Sequence, residues 1–184
     1  MDKVYYLDSG RLATFLDKLK REYRVFLPVA QDPQSRGTDY YYQPAQDNAS
    51  FVYNAYRTVE PLKAFFTPAY EKVSDYFTSE KNITEITEKV VIFGVKNCDI
   101  AGHKVQDFVF LEGVEVDSLY RVRRDKTIFI SGDCTDFKEV CHCLAWDIMP
   151  YPEGGFDLNF SPLSGGYLVE VGSRQGRELI DVSQ

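Results

Sequence analysis

The chain has 184 residues, of which 44% are hydrophobic and 27% charged, the composition of a globular protein the size of one ordinary domain. A net charge of −7 argues against nucleic acid, which calls for a basic face, and no apolar run approaches the roughly 20 residues that span a bilayer. Membrane insertion is therefore not expected. The N-terminus MDKVYYLDSGRL has no basic stretch followed by an apolar one, so no secretory signal is expected and the chain belongs in the cytoplasm, where thiols stay reduced.

In chain order, Leu12, Phe15, Leu16 and Leu19 recur at helical spacing between Ser9 and Arg21, with Asp8 or Ser9 placed to cap the start. Arg24 to Val29 reads as a strand. After the turn-rich QDPQSRGTD, Tyr40, Tyr41 and Tyr42 read as a second strand, although three tyrosines also suit a stacking platform. Pro61 and Pro68 restrict the segment Tyr56 to Glu71 to a short helical turn. Lys89 to Val95, KVVIFGV, is a strand buried on both faces, and helical periodicity follows through Ala101, Val105, Phe108 and Val109. A short segment near Ser118 to Arg124 leads to a second buried strand, Thr127 to Ser131, completing a parallel βαβ unit. FDLNF and GYLVEVG, joined by SPLSG, form a C-terminal hairpin, and SRQGRELI starts a terminal helix. With no repeat or linker, residues 1–184 read as a single α/β domain: a mixed, partly parallel sheet flanked by helices.

The chemistry lies in four cysteines, Cys98, Cys134, Cys141 and Cys143. Cys98 sits where the first buried strand turns into its helix, and the helix dipole there is expected to lower its thiol pKa. Cys134 follows the second buried strand. If those strands are neighbours, both sulfurs lie at one sheet edge, and the loop CTDFKEVCHC is short enough to bring Cys141 and Cys143 back to them. Four such thiolates suit one four-iron, four-sulfur cluster. They also suit a structural four-cysteine zinc site, although the CxxC knuckles typical of zinc are absent. Scattered buried cysteines are the blandest alternative. Direct thiol catalysis by Cys141 or Cys143 lacks a supporting motif.

Several neighbours allow two readings. His142 is a candidate ligand or a solvent-facing residue, and His103 an ordinary surface or packing residue. Asp99 and Asp133 flank cysteines as alternative iron ligands or as helix caps. Lys96 is a candidate charge compensator or a solvated surface lysine.

The segments FGVKNCDIAGHKVQDFVFLEG, LYRVRRDKTIFISGDC, CHC and GGYLVEVGSRQGREL, with YRTVEPLKAFFTP upstream, carry a resemblance. They resemble the N-terminal domain of the beta-subunit family of sulfhydrogenases, the anaerobic sulfite reductase A subunit and related hydrogenase- or heterodisulfide-reductase-linked electron-transfer subunits. The match runs from about Tyr53 to Leu179 and includes all four cysteines in order. This sequence has GVKNCD where the family typically has GxRPCD, and CHC for CFC. It also ends where such subunits usually continue into a ferredoxin-like domain.

The resemblance implies one 4Fe-4S cluster on Cys98, Cys134, Cys141 and Cys143, with no catalytic residue in the chain. It further implies electron relay within a multi-subunit complex of anaerobic metabolism, between flavin or iron–sulfur proteins that are hydrogenase- or sulfite-reductase-like.

Overall fold

The protein, represented by a computed structural model, is described over residues 4–35, 37–46, 52–70 and 87–181. Among these, a seven-stranded sheet runs in the order β1-β7-β6-β5-β4-β2-β3, formed by Val4–Asp8, Gly166–Val171, Leu158–Leu163, Thr127–Gly132, Val90–Val95, Arg24–Ala30 and Tyr40–Pro44 respectively. Its centre, β2, β4, β5 and β6, is parallel. Antiparallel partners close both sides, β3 beside β2, and β7 then β1 beside β6. The chain is an α/β domain with a mixed sheet, as expected. No helix among the described residues is long and apolar enough to cross a membrane.

Among the described residues five helices flank the sheet: α1 (Leu12–Glu22), α2 (Lys63–Phe66), α3 (Asn97–Leu111), α4 (Ser118–Asp125) and α5 (Arg174–Asp181). A short 3-10 turn precedes α1, and the Asp8 side chain accepts from Gly10 N at 2.8 Å, the cap expected there. The α1 stripe Leu12, Phe15, Leu16 and Leu19 packs with Leu179 and Ile180 of α5 on one sheet face. Phe66, Ile100 and Tyr120, from α2, α3 and α4, cover the other. Asp117 caps α4 by accepting from Leu119 N and Tyr120 N, each at 2.9 Å. The segment that begins at Tyr56 extends to Glu71, which lies outside the described residues.

The helix expected after Lys89–Val95 is present as α3, and two features were not read from the sequence. Strand β1 was not anticipated from the sequence; it turns only Tyr5 and Leu7 toward the core, a pattern too short to stand out. On α3, Val105, Phe108 and Val109 face solvent. The buried side carries Asp99, Ile100 and His103 instead, because the second core meets the helix through Ile100 and the His103 ring, 4.4 Å from Phe66 and 5.1 Å from Phe129. Burial lowers the His103 pKa, and of its two readings the packing one holds.

Period-two alternation along β4 breaks at Gly94. Val91 and Phe93 pack toward α1, Ile92 toward α3, and Val95 also toward α3, although it lies two residues beyond Phe93. The pairing with β5 shifts between Phe93 and Val95, and Gly94 takes φ +76°. This is a β-bulge with glycine in the left-handed region. Phe93, fully buried with its ring 5.0 Å from Phe160, anchors the strand just before the bulge. Phe93→Ala is expected to cost about 3–5 kcal/mol, read as a lower urea midpoint with unchanged slope.

Candidate metal centre

The parallel strands end at one edge, where the cysteines gather. β4 passes through Lys96 into the first turn of α3, which carries Cys98. β5 ends at Gly132, two residues before Cys134. The crossover from β5 to β6, usually a helix between parallel strands, is here an irregular loop containing Cys134, Cys141 and Cys143, with only a 3-10 turn at Cys143–Trp146.

Backbone and side-chain bonds hold this loop. Cys134 N donates to Pro150 O at 2.7 Å, and Thr135 N donates to Ala55 O at 2.9 Å. Cys141 N donates to Lys138 O at 2.8 Å while Lys138 N donates to Cys141 Sγ at 3.3 Å. Asn97 Nδ2 reaches the carbonyls of Met149 and Tyr151 at 2.9 and 3.0 Å. The residue that departs from the family's proline therefore ties α3 to the far end of the loop.

Cys98, Cys141 and Cys143 line one cavity of about 430 Å³ with Arg57, Lys138, His142 and Trp146. Cys134 is not among its lining residues, but its electrostatics link it to the others: it feels the charges of Cys143 and Cys141, and Cys98 feels those of Cys143 and Cys134. The expected lowering of the Cys98 pKa is overturned. Burial pushes this thiol up, reinforced by Asp99 and Cys143, and these outweigh the helix terminus. Burial raises Cys134 too, against the pull of Lys96. All four cysteines are free thiols of intermediate exposure. Among the described residues no three His, Cys, Asp or Glu side chains form a group able to hold a metal ion.

The polar neighbours resolve as follows. Asp99, third residue of α3, is buried, accepts the backbone hydrogen bond of Lys96 in the manner of a cap, and faces Arg57 Nε at 3.8 Å. Its other oxygen, Oδ2, is buried without a partner. Burial lifts its pKa to about 6, against Arg57. Asp133 caps no helix; its carboxylate accepts from Asn159 Nδ2 at 3.0 Å, and Asn159 Oδ1 accepts from Ser131 Oγ at 2.8 Å. His142 is exposed.

Lys96 is completely buried, against the surface reading. Its Nζ donates to Asp133 O at 2.9 Å and lies 4.5 Å from the centre of the Tyr53 ring. Desolvation lowers its pKa to about 8, opposed by Cys134, Asp133, Cys98 and Asp99. Tyr53 OH in turn donates to Asp133 O and Phe160 O, at 2.7 and 3.1 Å. Sequence reasoning missed Tyr53 and Asn97, since neither type nor spacing marks them. Only the fold brings Tyr53 to the cysteine edge and ties Asn97, the neighbour of Cys98, to the far end of the loop.

A chain from Pyrococcus furiosus described as sulfhydrogenase 2 subunit beta is 34% identical over 179 residues, 95% of this chain. This chain is a relative of the sulfhydrogenase beta-subunit family. It spans about half the length of that relative. No family model matches, and no solved structure matches. The match to the sulfhydrogenase subunit extends over 95% of this chain, so the similarity is not confined to the separate motifs.

Proposed function

We propose that this sulfhydrogenase-subunit relative is a cytoplasmic electron-transfer module, in which Cys98, Cys134, Cys141 and Cys143 hold one four-iron, four-sulfur cluster within a larger oxidoreductase complex. The observation that carries this reading is that three free thiols, Cys98, Cys141 and Cys143, line one cavity at the sheet edge, with Cys134 electrostatically linked to them and a buried cation beside them. The donor set fits: such clusters take four cysteine thiolates. When bound, the cluster supplies reversible one-electron chemistry.

The chain's residues position and tune that site. Lys138 N–H donates to the Cys141 sulfur, the kind of bond that stabilises negative charge on a ligand. Cys98 is placed on a helix and Cys134 at a strand end, rigid elements that preorganise their sulfurs. Around the loop Phe137, Val140, Leu144 and Trp146 are 71–77% exposed, an apolar surface against which a partner redox subunit would shorten the electron's path. The relative's name points to hydrogenase-type subunits as those partners.

The structural zinc reading is less well supported. Structural zinc sites are usually built on paired CxxC knuckles, and the four cysteines of this chain form none. Iron and acid-labile sulfide analysis of anaerobically prepared protein tests the proposal. About four of each per chain is expected; stoichiometric zinc without sulfide sinks it.

A further inference from the structure

We propose that Lys96 is the built-in counter-cation of the cysteine site, holding positive charge inside the protein for an anionic, thiolate-ligated centre and raising that centre's reduction potential. The inference rests on the cluster reading above. Lysine is almost never fully buried unless paired, and an ammonium out of water needs an opposite charge or a full set of acceptors. Lys96 has neither: among the described residues its ammonium makes one hydrogen bond, to a neutral carbonyl, and one contact with a ring face. No carboxylate pairs with it. Asp133, which supplies the carbonyl, turns its carboxylate to Asn159, and Asp99 turns its own toward Arg57.

What the ammonium does face is the space between two cysteine-bearing strand ends. It lies two residues before Cys98 and bonds the residue just before Cys134. The β-bulge at Gly94 puts it there, because the register shift reverses which side of β4 the following residues take. A fold that spends a bulge and a buried lysine on this point leaves a cation whose missing partner is an anion in the site. Four thiolates around a cluster supply that anion, and each added electron makes it more negative. A fixed nearby cation therefore favours the reduced state over the oxidised one.

The test compares anaerobically reconstituted wild type with Lys96→Met, Lys96→Gln and Lys96→Arg. Glutamine can keep the hydrogen bond to Asp133 O without the charge, so it separates electrostatics from scaffolding. Redox titration of the bound cluster is expected to show Met and Gln lowering the one-electron reduction equilibrium about tenfold, roughly 59 mV, with Arg close to wild type. Metal-free samples are expected to move the other way: Met and Gln should melt no lower than wild type, because each removes a buried, unneutralised charge. Unchanged potentials in Met and Gln, or a lower melting temperature for both metal-free variants, overturn the proposal and leave the cluster reading standing. A wild type that takes up no iron and sulfide overturns both.

Discussion

On the proposed cluster assignment, Cys134→Ser is expected to lower iron and sulfide occupancy by more than the roughly 10–100-fold that loss of an outer-shell partner costs a metal site. Cys134 sits at the meeting point of the whole edge. Its amide is bound to Pro150 O, and the carbonyl of the preceding residue receives both Lys96 and Tyr53. A serine there keeps those bonds and removes only the thiolate, so visible absorbance and iron content should fall while the far-ultraviolet circular dichroism stays native.

Metal removal from the wild type makes the same division. Hydrogen exchange should remain slow across β4 and β5, whose residues are almost all buried, and accelerate across residues 135–146, which hang on a few turn bonds. Loss of protection in both strands would mean that the cluster organises the fold as a whole, and the picture of a preformed edge would fall.

Gly94→Ala is expected to destabilise the protein by about 2–5 kcal/mol. The φ of +76° puts an alanine in the left-handed region, at roughly 1–2 kcal/mol, and overpacking adds about 1–3 kcal/mol. The added Cβ would stand 2.4 Å from Asn54 Oδ1 and 2.8 Å from Pro28 Cγ. Neither can withdraw cheaply. Asn54 is buried and donates to Gly94 O at 2.8 Å and Tyr56 O at 3.0 Å, and Pro28 is part of β2. The urea midpoint checks the stability change. A substitution that left stability intact would mean that the bulge relaxes freely, and that Lys96 is not held where the strand now puts it.

Much of the scaffold was legible in the residues because it rests on local periodicity. The run KVVIFGV announced a strand buried on both faces, and the stripe on α1 announced its buried side. Helix α3 was legible as a helix but not in its orientation. Its apolar residues Val105, Phe108 and Val109 point outward, and a histidine and an aspartate point in. A helix's burial depends on what it packs against, and here the wall of Phe66, Tyr120 and Phe129 accepts a neutral imidazole as an aromatic partner.

The candidate site divides the same way. The sequence by itself determined which atoms are available: four thiols, two of them at strand ends, in an order that resembles that of the sulfhydrogenase beta-subunit family. It also determined the α/β alternation that sends parallel strands to a common edge. Only the tertiary structure decided that Lys96 is buried and not solvated, that Tyr53 and Asn97 belong to the site, and that burial pushes the Cys98 thiol up where a helix terminus alone would push it down. Each of these depends on contacts between residues far apart in the chain, and desolvation, the largest force on a buried charge, is set by everything that surrounds it in three dimensions.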